Sequence, residues 1–449
     1  PPEASSPSLL SPPHATLYAK RSYGLYRPMP GKPYSNPGVR ETGMQTSHLD
    51  VTGYLGRQVH LGVTGSIAAF KALPLTRRLL TTGAKVAVTL TEAAKHFVTP
   101  LSFEALGASP VRSDMFSPES ARFAHLAPAQ EADCLAVVPA SADFLARMCH
   151  GLADDLLACQ VLAFTGPVLV APAMNPRLWQ AAATRENWDK LLARGVIGVL
   201  PEWGEMACGE TGQGRLARDE AIFAAIVRAL TPQDLAGQKV LVSLGPTREY
   251  FDAARFWSNP STGRMGACLA MAAWLRGADV SVVSGPVSWW FPDSVHVVPV
   301  TSANQMYEAC LDLWPSMDIG AMTAAVADFA PEPLPGGGKF KKDMANGAPP
   351  LVFRPTRDIL AAMGAAKGAG QRLIGFCAET DNLVENAQGK LTRKNCDLMV
   401  GNPIGRTDAG FAAATNEAVV LTAAGGRETW SALPKTEMAW KIWDSLIRL

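Results

Sequence analysis

The chain lacks any marked excess of charge of one sign. It has 41 Lys and Arg residues against 40 Asp and Glu residues, a formal net charge of +1 over 449 residues. A basic excess is the usual sign of a nucleic-acid partner or an anionic membrane surface, so neither is expected as a general partner. The sequence also lacks an apolar run near the roughly 18 residues of a transmembrane helix, so no membrane partner is predicted.

Paired cysteines and zinc-type spacings are missing too. The eight cysteines form no CxxC pair, and the seven histidines are scattered. These absences argue against a disulfide framework and against a zinc site. We therefore expect a reduced, cytoplasmic protein.

The first 57 residues differ in composition from the rest of the chain. They are rich in Pro, Ser and Tyr and show almost no hydrophobic period. This composition predicts a disordered or extended N-terminal arm over residues 1–57. The arm is basic and poor in acids, so a targeting peptide stays open, although no amphipathic arginine helix is evident.

From residue 58 onward, short β-branched runs alternate with helical ones. RQVHLGVTGSIAAFKALPLTRRLLTTGAKVAVTLT is typical of a strand, a Gly-Ser turn, a helix and a second strand. LTPQDLAG, residues 230–237, is a predicted linker, and a second series of strands starts at QKVLVSLGPTRE. The sequence thus predicts an α/β fold with two doubly wound, Rossmann-like parallel-sheet domains, at residues 58–232 and 238–449. Ligands are expected at the carboxyl ends of the strands.

Five residues in the first half carry candidate chemistry. Gly65 and Ser66 lie between a strand and a helix start, which suits a phosphate, although the GxGxxG fingerprint is absent and a plain capped turn is the alternative. Asn175 ends a strand in APAMN and could bind a carboxylate or cap a helix. His125 could be a base or a structural histidine. Cys208, in EMACGETGQGRLA, lies among glycines rather than in the apolar setting that a structural cysteine prefers.

Three clusters in the second half suit a nucleotide. GPTREYFDAARFWSNPSTGRMG places Asn259 and neighbouring hydroxyl groups at a helix start. AAVADFAPEPLPGGGKFKKD places Asp328 at a strand end, before a glycine run with lysines that suits a triphosphate or is a solvated loop. GKLTRKNCDLMVGNP adds Lys390 and Lys394 at i, i+4 spacing, which is also common on an exposed helix face.

The first half resembles the flavin-containing cysteine decarboxylases, and the 4′-phosphopantothenoylcysteine decarboxylases in particular. GSIAAFK, TEAAKHFVTPLSFEAL, PASADFLARMCHGLADDLL, PAMN and ACGETGQGR occur in the order of that family. The resemblance implies that Cys208 lies on a flap and donates a proton, that His125 takes part in the oxidative step, and that Asn175 holds the carboxylate that leaves. It also implies FMN as cofactor, with contacts at Gly65, Ser66, Ile67, Thr91 and Ser141.

These implied roles agree with the chemistry of the reaction. Flavin supplies an oxidation of the substrate's thiol end, which makes loss of the carboxylate possible. A cysteine thiol is a suitable acid for the later proton transfer. Glycines on both sides of Cys208 let the segment close over a substrate and exclude water.

The second half resembles the phosphopantothenate–cysteine ligases, and the order of the halves is that of the bacterial bifunctional enzymes. The resemblance implies that CTP activates the 4′-phosphopantothenate carboxylate as an acyl-cytidylate, which the amine of L-cysteine then attacks. It associates Asn259 with that intermediate and Lys339 with its formation, and it implies Mg²⁺ on the phosphates, with unassigned ligands. The implied substrate- and CTP-binding positions are Met322, Thr323, Ala324, Asp328, Lys339, Arg357, Asp358, Ile359, Leu360, Phe376, Lys390 and Lys394.

Taken together, the two resemblances imply an enzyme of coenzyme A biosynthesis. It would ligate 4′-phosphopantothenate with cysteine and decarboxylate the product to 4′-phosphopantetheine. A homo-oligomer is implied, because the decarboxylase family builds flavin sites between subunits of trimers and its ligase partner dimerises.

Several positions depart from the family pattern. Pro260 stands where histidine is common, Phe329 replaces tyrosine, and Pro128 lies in a helix that normally lacks proline. FKK and GNPIG also replace the usual IKK and AND. These changes leave the proposed catalytic groups in place, so they bear on rate and nucleotide preference rather than on the reaction class.

Two other functions fit the sequence less well. A non-catalytic flavin-binding regulator would not need His125, Asn175 and Cys208 together. A nicotinamide oxidoreductase on a doubly wound fold is disfavoured by the missing GxGxxG and by the absent acidic ribose ligand.

Overall fold

The computed structural model describes residues 44–116, 123–334, 338–341, 351–404 and 415–449. The first half is built on a six-stranded sheet with the order β3-β2-β1-β4-β5-β6, in which every neighbouring pair is parallel. Its strands are β1 (Gln58–Val63), β2 (Lys85–Leu90), β3 (Val111–Arg112), β4 (Cys134–Ala140), β5 (Val168–Pro172) and β6 (Ile197–Gly198).

Helices and one hairpin complete the first half. The helices are α1 (Ala72–Thr81), α2 (Pro100–Glu104), α3 (Ala127–Glu131), α4 (Ala142–His150), α5 (Leu156–Ala163), α6 (Pro176–Gln180), α7 (Ala182–Ala193) and α8 (Asp219–Leu230), and the antiparallel hairpin joins β7 (Glu202–Glu205) to β8 (Thr211–Arg215). Strand β4 is buried at all seven positions, as expected for a central parallel strand with helices on both faces.

The second half repeats the same strand order and extends it. Its main sheet has the order β13-β12-β9-β14-β17-β18-β19-β20. The main-sheet strands are β9 (Lys239–Leu244), β12 (Asp279–Ser284), β13 (His296–Pro299), β14 (Ile319–Met322), β17 (Arg372–Glu379), β18 (Leu398–Pro403), β19 (Thr415–Thr422) and β20 (Arg427–Pro434). The first six are parallel, as predicted, and the sheet also carries β19 and β20 in antiparallel pairing, which the sequence patterns did not indicate.

Shorter elements surround this second sheet. Two small antiparallel pairs join β10 (Arg248–Tyr250) to β11 (Phe256–Ser258) and β15 (Phe329–Pro331) to β16 (Phe353–Pro355). The helices are α9 (Arg264–Leu275), α10 (Ala303–Leu313), α11 (Ile359–Ala365), α12 (Leu383–Arg393) and α13 (Lys435–Ile447). Short 3₁₀ helices lie at Ser47–Leu49, Ile67–Lys71, Glu92–His96 and Trp314–Ser316.

Residues 44–57 differ from the disordered arm that the sequence predicts. They include the 3₁₀ helix at Ser47–Leu49, and His48 and Leu49 are each only 1% exposed. Leu49 and Tyr54 of the segment pack into the main core, with Val51 partly buried against it, and this burial offsets the entropy of ordering the segment. The rest of the predicted arm lies outside the described residues.

The two halves share that core. Helix α8 packs against α9, with the Arg228 guanidinium 4.5 Å from the centroid of the Trp274 ring. The Tyr54 hydroxyl lies 2.9 Å from Oγ1 of Thr231, and Arg276 forms ion pairs with Asp234. Among the described residues, no helix combines the length and the hydropathy needed to cross a membrane.

Candidate functional site

A deep cleft opens where the first sheet reverses its strand order. Strands β1 and β4 are neighbours, but the chain leaves β1 toward β2 on one side and leaves β4 toward β5 on the other. The residues that follow these two strands, 64–66 and 141–143, line a cleft of about 1080 Å³. This volume is at the upper end for small-molecule and cofactor sites.

All five predicted FMN-binding residues line this cleft: Gly65, Ser66, Ile67, Thr91 and Ser141. Three of them are hydroxyl N-caps, because Ser66, Thr91 and Ser141 each accept a backbone N–H bond at the start of a helix. Hydroxyl groups beside helix starts suit a phosphate, and the apolar side chains around them suit a planar ring system. The donor set therefore fits a flavin mononucleotide.

Asn175 and Cys208 meet at the same end of the cleft. The Asn175 carboxamide is fixed at its oxygen, since Oδ1 accepts the Arg177 N–H at 2.8 Å and caps α6. Its Nδ2 points toward the flap and lies 3.5 Å from Sγ of Cys208. Cys208 is exposed on the turn between β7 and β8, the segment that the resemblance implies to be a flap.

A glycine brings this hairpin close to the Asn175 loop. Met174 N–H donates to the Gly214 carbonyl at 2.9 Å, and a Cβ on Gly214 would lie 2.3 Å from the Met174 oxygen. Only glycine permits this approach, so the residue choice at position 214 sets the distance between the flap and the strand end.

Glu210 is a further residue of this cluster. Its carboxylate accepts the Asn175 Nδ2–H at 2.9 Å and forms an ion pair with Arg177 at 2.8 Å. Neither Glu210 nor Arg177 was predicted. Glu210 lies 35 residues from Asn175 in the chain and 33 from Arg177, so no sequence spacing links them. Glu210 thus accepts a hydrogen bond from Asn175, the residue that by resemblance holds the substrate's leaving carboxylate.

His125 is not brought to this cleft within one chain. It lies in the turn before α3, half-buried, with its ring 6.3 Å from that of Phe123, and it is not among the cleft's lining residues. Gln160 on α5 holds the turn by donating from Nε2 to the Ala124 carbonyl at 3.0 Å.

The second half has its own strand reversal, between β9 and β14. The loops after these strands are tied together: Thr323 Oγ1 donates to the Ser243 carbonyl at 2.7 Å, and Ala325 N–H donates to the Gly245 carbonyl at 2.9 Å. Asn259 belongs to this group, since its Nδ2 donates to the Val326 carbonyl at 3.0 Å. The structure therefore gathers Asn259 with the predicted positions at 323–324, and Asp328 follows three residues after Ala325.

Lys339 lies exposed on a segment that a buried carboxylate anchors. Phe340 N–H donates to Oδ2 of Asp252 at 3.2 Å, and Arg255 pairs with the same oxygen at 3.1 Å. Burial alone would raise the pKa of Asp252, but the N–H groups of Ala254, Arg255 and Phe340 hold that pKa below its ordinary value. Asp252 was not predicted, since a buried anchor shows no sequence signal of its own.

The remaining predicted nucleotide-binding residues have diverse surroundings. Lys390 and Lys394 do not share an open face, because they pair with Glu379 at 2.6 Å and with Asp358 at 2.9 Å. Burial would raise the pKa of Asp358, but the Ala361 N–H and Lys394 hold it below its ordinary value. The predicted positions with side chains in the apolar core, fully or in part, are Met322, Ala324, Ile359, Leu360 and Phe376.

Arg357 is directed toward α10. Its guanidinium pairs with Glu308 at 3.0 Å, contacts Asn304, and lies 3.9 Å from the centroid of the Tyr307 ring. Among the described residues, no group of three His, Cys, Asp or Glu side chains could hold a metal ion.

The first sheet carries a cleft that suits a phosphate, and a second sheet of the same strand order follows it. These features are those of a two-domain α/β flavoprotein. Family models agree with both halves. Residues 52–231 match the Flavoprotein family, and residues 235–449 match the DNA/pantothenate metabolism flavoprotein C-terminal domain.

Relatives extend over nearly the whole chain. The coenzyme A biosynthesis bifunctional protein CoaBC of Vibrio parahaemolyticus is 38% identical over 395 residues, which cover 88% of this chain and 98% of the relative. The protein of the same name from Escherichia coli K12 is 40% identical and covers 79% and 88%. A crystal structure of the FMN-dependent cysteine decarboxylase SpaF is 32% identical, with a TM-score of 0.34, and covers 38% of this chain and 97% of that one.

The chain belongs to the family of the coenzyme A biosynthesis bifunctional proteins. It is an enzyme with a decarboxylase half and a ligase half.

Proposed function

We propose that the chain makes 4′-phosphopantetheine in two steps. CTP-dependent ligation joins 4′-phosphopantothenate to L-cysteine, and the product is then decarboxylated. The decarboxylase site lies at the strand reversal of the first sheet and the ligase site at that of the second. The observation that carries the proposal is the Asn175 amide, which lines the large cleft together with the Cys208 thiol and contacts both that thiol and the Glu210 carboxylate. We further propose residues 58–232 and 238–449 as the two catalytic domains.

The decarboxylase site holds the leaving carboxylate through Asn175. A substrate carboxylate replaces Glu210 as the acceptor of the Asn175 Nδ2–H bond, while Oδ1 stays fixed as the cap of α6. The displaced Glu210 keeps its ion pair with Arg177. Cys208, which approaches the same amide, then lies near the reacting end of the substrate and delivers a proton there.

FMN is the proposed cofactor of this half. Gly65, Ser66, Thr91 and Ser141 would hold its phosphate and polar edge, and Ile67, which is 62% exposed, would cover its ring. When bound, the flavin supplies the two-electron oxidation of the substrate and its later reversal.

We propose that His125 contributes to the decarboxylase cleft of a neighbouring subunit. Its place outside the cleft supports a site shared between copies of the chain. Phe123, Leu152 and Leu162 are each more than half exposed in the same half, and their burial in a homo-oligomer would be favourable.

In the ligase half, Asn259 holds the 323–328 segment in place beside the intermediate. Lys339 brings a positive charge to the nucleotide phosphates from its exposed segment, and Asp328 contacts the cytidine. Mg²⁺ bound mainly by the phosphates agrees with the lack of an acidic cluster among the described residues. A cytoplasmic location is proposed as well, supported by eight free thiols.

Asn175→Ala tests this assignment, with the ligase activity of the same sample as internal control. Removing a charge-assisted hydrogen bond to the carboxylate should lower kcat/KM for supplied 4′-phosphopantothenoylcysteine roughly tenfold to a hundredfold. Ligation of 4′-phosphopantothenate with cysteine should not change. An unaltered decarboxylation rate would contradict the proposed site, and a loss of both activities would indicate a folding defect.

A further inference from the structure

Residues 44–51 form a strap that binds the ligase half, although they precede the decarboxylase half in the chain. Gln45 forms an isolated parallel bridge with Trp289: its N–H donates to the Ser288 carbonyl at 2.8 Å, and its carbonyl accepts the Trp290 N–H at 3.2 Å. The strap lies outside both matched family regions, which begin at residues 52 and 235. The chain therefore supplies a piece of the second half from its N-terminal side.

Side chains of the strap complete a buried aromatic cluster. The His48 ring lies edge-on to Trp289 with centroids 5.3 Å apart, and 5.5 Å from the ring of Phe291. Leu49 belongs to the same core, and the 3₁₀ helix of the strap packs against α9. The Trp289 side chain is itself only 7% exposed in this cluster.

Trp289 connects the strap to residues 259–263, the loop before α9 that the sequence predicts to bind the nucleotide. Its indole Nε1–H donates to the Thr262 carbonyl at 2.8 Å, within the segment between Asn259 and the start of α9. The loop that carries Trp289 also packs tightly on the strand reversal, because a Cβ on Gly285 would lie 1.9 Å from the Pro246 oxygen. The strap, Trp289 and the 259–263 loop are thus joined by an unbroken series of contacts.

We propose that residues 44–51 belong functionally to the ligase, and that Trp289 is a positioning residue through which they hold the 259–263 loop in its substrate-binding geometry. The inference rests on the proposed role of that loop. It assigns the strap a role in binding the phosphate-bearing substrates and none in decarboxylation.

Trp289→Phe in the full chain is the sharpest test, since it keeps an aromatic ring and removes the indole N–H donor together with part of the ring. The ligase KM for CTP or for 4′-phosphopantothenate should rise roughly threefold to tenfold with little change in kcat. Trp430→Phe is the matched control: it removes an indole N–H bond of the same length, to Glu428, on the distant strand β20. Its ligase KM values should stay at those of the parent chain.

Two truncations test the strap itself. A chain that starts at residue 44 keeps the strap and should retain both activities. A chain that starts at residue 52 lacks it and should lose at least tenfold in ligase kcat/KM while it decarboxylates supplied 4′-phosphopantothenoylcysteine normally. If the shorter chain loses both activities, it has a folding defect. The comparison of Trp289→Phe with Trp430→Phe then decides whether Trp289 positions the 259–263 loop.

Unchanged ligase KM values in Trp289→Phe would overturn the inference. Asn259→Ala separates this failure from a failure of the proposed function. If that variant also ligates normally, the assignment of the loop is wrong. If it is impaired while Trp289→Phe is not, the loop acts as proposed and the strap does not position it.

Discussion

At the scale of single residues, the Glu210 carboxylate and the substrate's carboxylate are proposed to compete for the amide of Asn175. Asn175 Nδ2 is occupied by Glu210, 2.9 Å away, and the substrate's carboxylate is proposed to take the same donor. An internal carboxylate of this kind protects the amide from other anions and costs binding energy when the substrate replaces it. Arg177 keeps Glu210 neutralised near the cleft in both states.

Glu210→Ala should therefore lower the KM for supplied 4′-phosphopantothenoylcysteine, roughly threefold to tenfold, because the internal competitor is gone. Steady-state decarboxylation kinetics provide the measurement. Glu186→Gln removes one negative charge from the exposed face of α7 and serves as the control. A KM that rises in Glu210→Ala would show that Glu210 assists substrate binding and does not compete with it.

At the scale of elements, the segment that carries Lys339 is the proposed source of positive charge for the ligase site. Lys390 and Lys394 already have carboxylate partners, whereas Lys339 is exposed on a segment that Asp252 anchors. A charge that arrives with the substrate stabilises the transferring phosphate more than one already neutralised.

Lys339→Gln should slow acyl-cytidylate formation roughly a hundredfold, since it removes this charge and leaves a polar, uncharged side chain. Pyrophosphate release from CTP measures that step directly. Lys239→Gln, an exposed lysine at the start of β9, is the matched control. A Lys339 variant that releases pyrophosphate at the parent rate would remove Lys339 from the proposed mechanism.

Periodic elements and local motifs could be predicted from the sequence, and contacts between distant residues could not. The buried runs of β1 and β4 and the capped turn at Ser66 have local signals, so the fold and the cleft follow from them. Glu210 and Asp252 act through partners that only the folded chain brings near. The strap has no motif at all, and β20 alternates too weakly to indicate a strand.

At the scale of the whole molecule, two buried histidines make stability depend on pH. Burial lowers the pKa of His48 to about 4, with Arg78 and Arg264 nearby, and lowers that of His60 to about 4, with Arg112 nearby. In the unfolded chain these groups titrate near pH 6.5, so the unfolded state binds more protons between pH 6.5 and 4. The stability that neutral histidines provide is complete above pH 6.5 and is lost as the pH falls toward 4.

Each histidine should cost about 3 kcal/mol of unfolding free energy by pH 4. Urea unfolding at several pH values between 7.5 and 4.5 measures the loss. His48→Phe keeps a ring in the aromatic cluster and removes one of the two groups, so its stability should fall about half as steeply. Equal unfolding free energies at pH 7 and pH 5 in the parent chain would contradict the burial of both neutral rings.

One reaction tests whether this single chain carries both the ligase activity and the decarboxylase activity. The purified protein is incubated with 4′-phosphopantothenate, L-cysteine, CTP and Mg²⁺, and the products are identified by mass spectrometry. We expect 4′-phosphopantetheine, CMP, pyrophosphate and carbon dioxide. Accumulation of 4′-phosphopantothenoylcysteine would contradict the proposed decarboxylase site, and a folded protein that forms neither product would contradict the account as a whole.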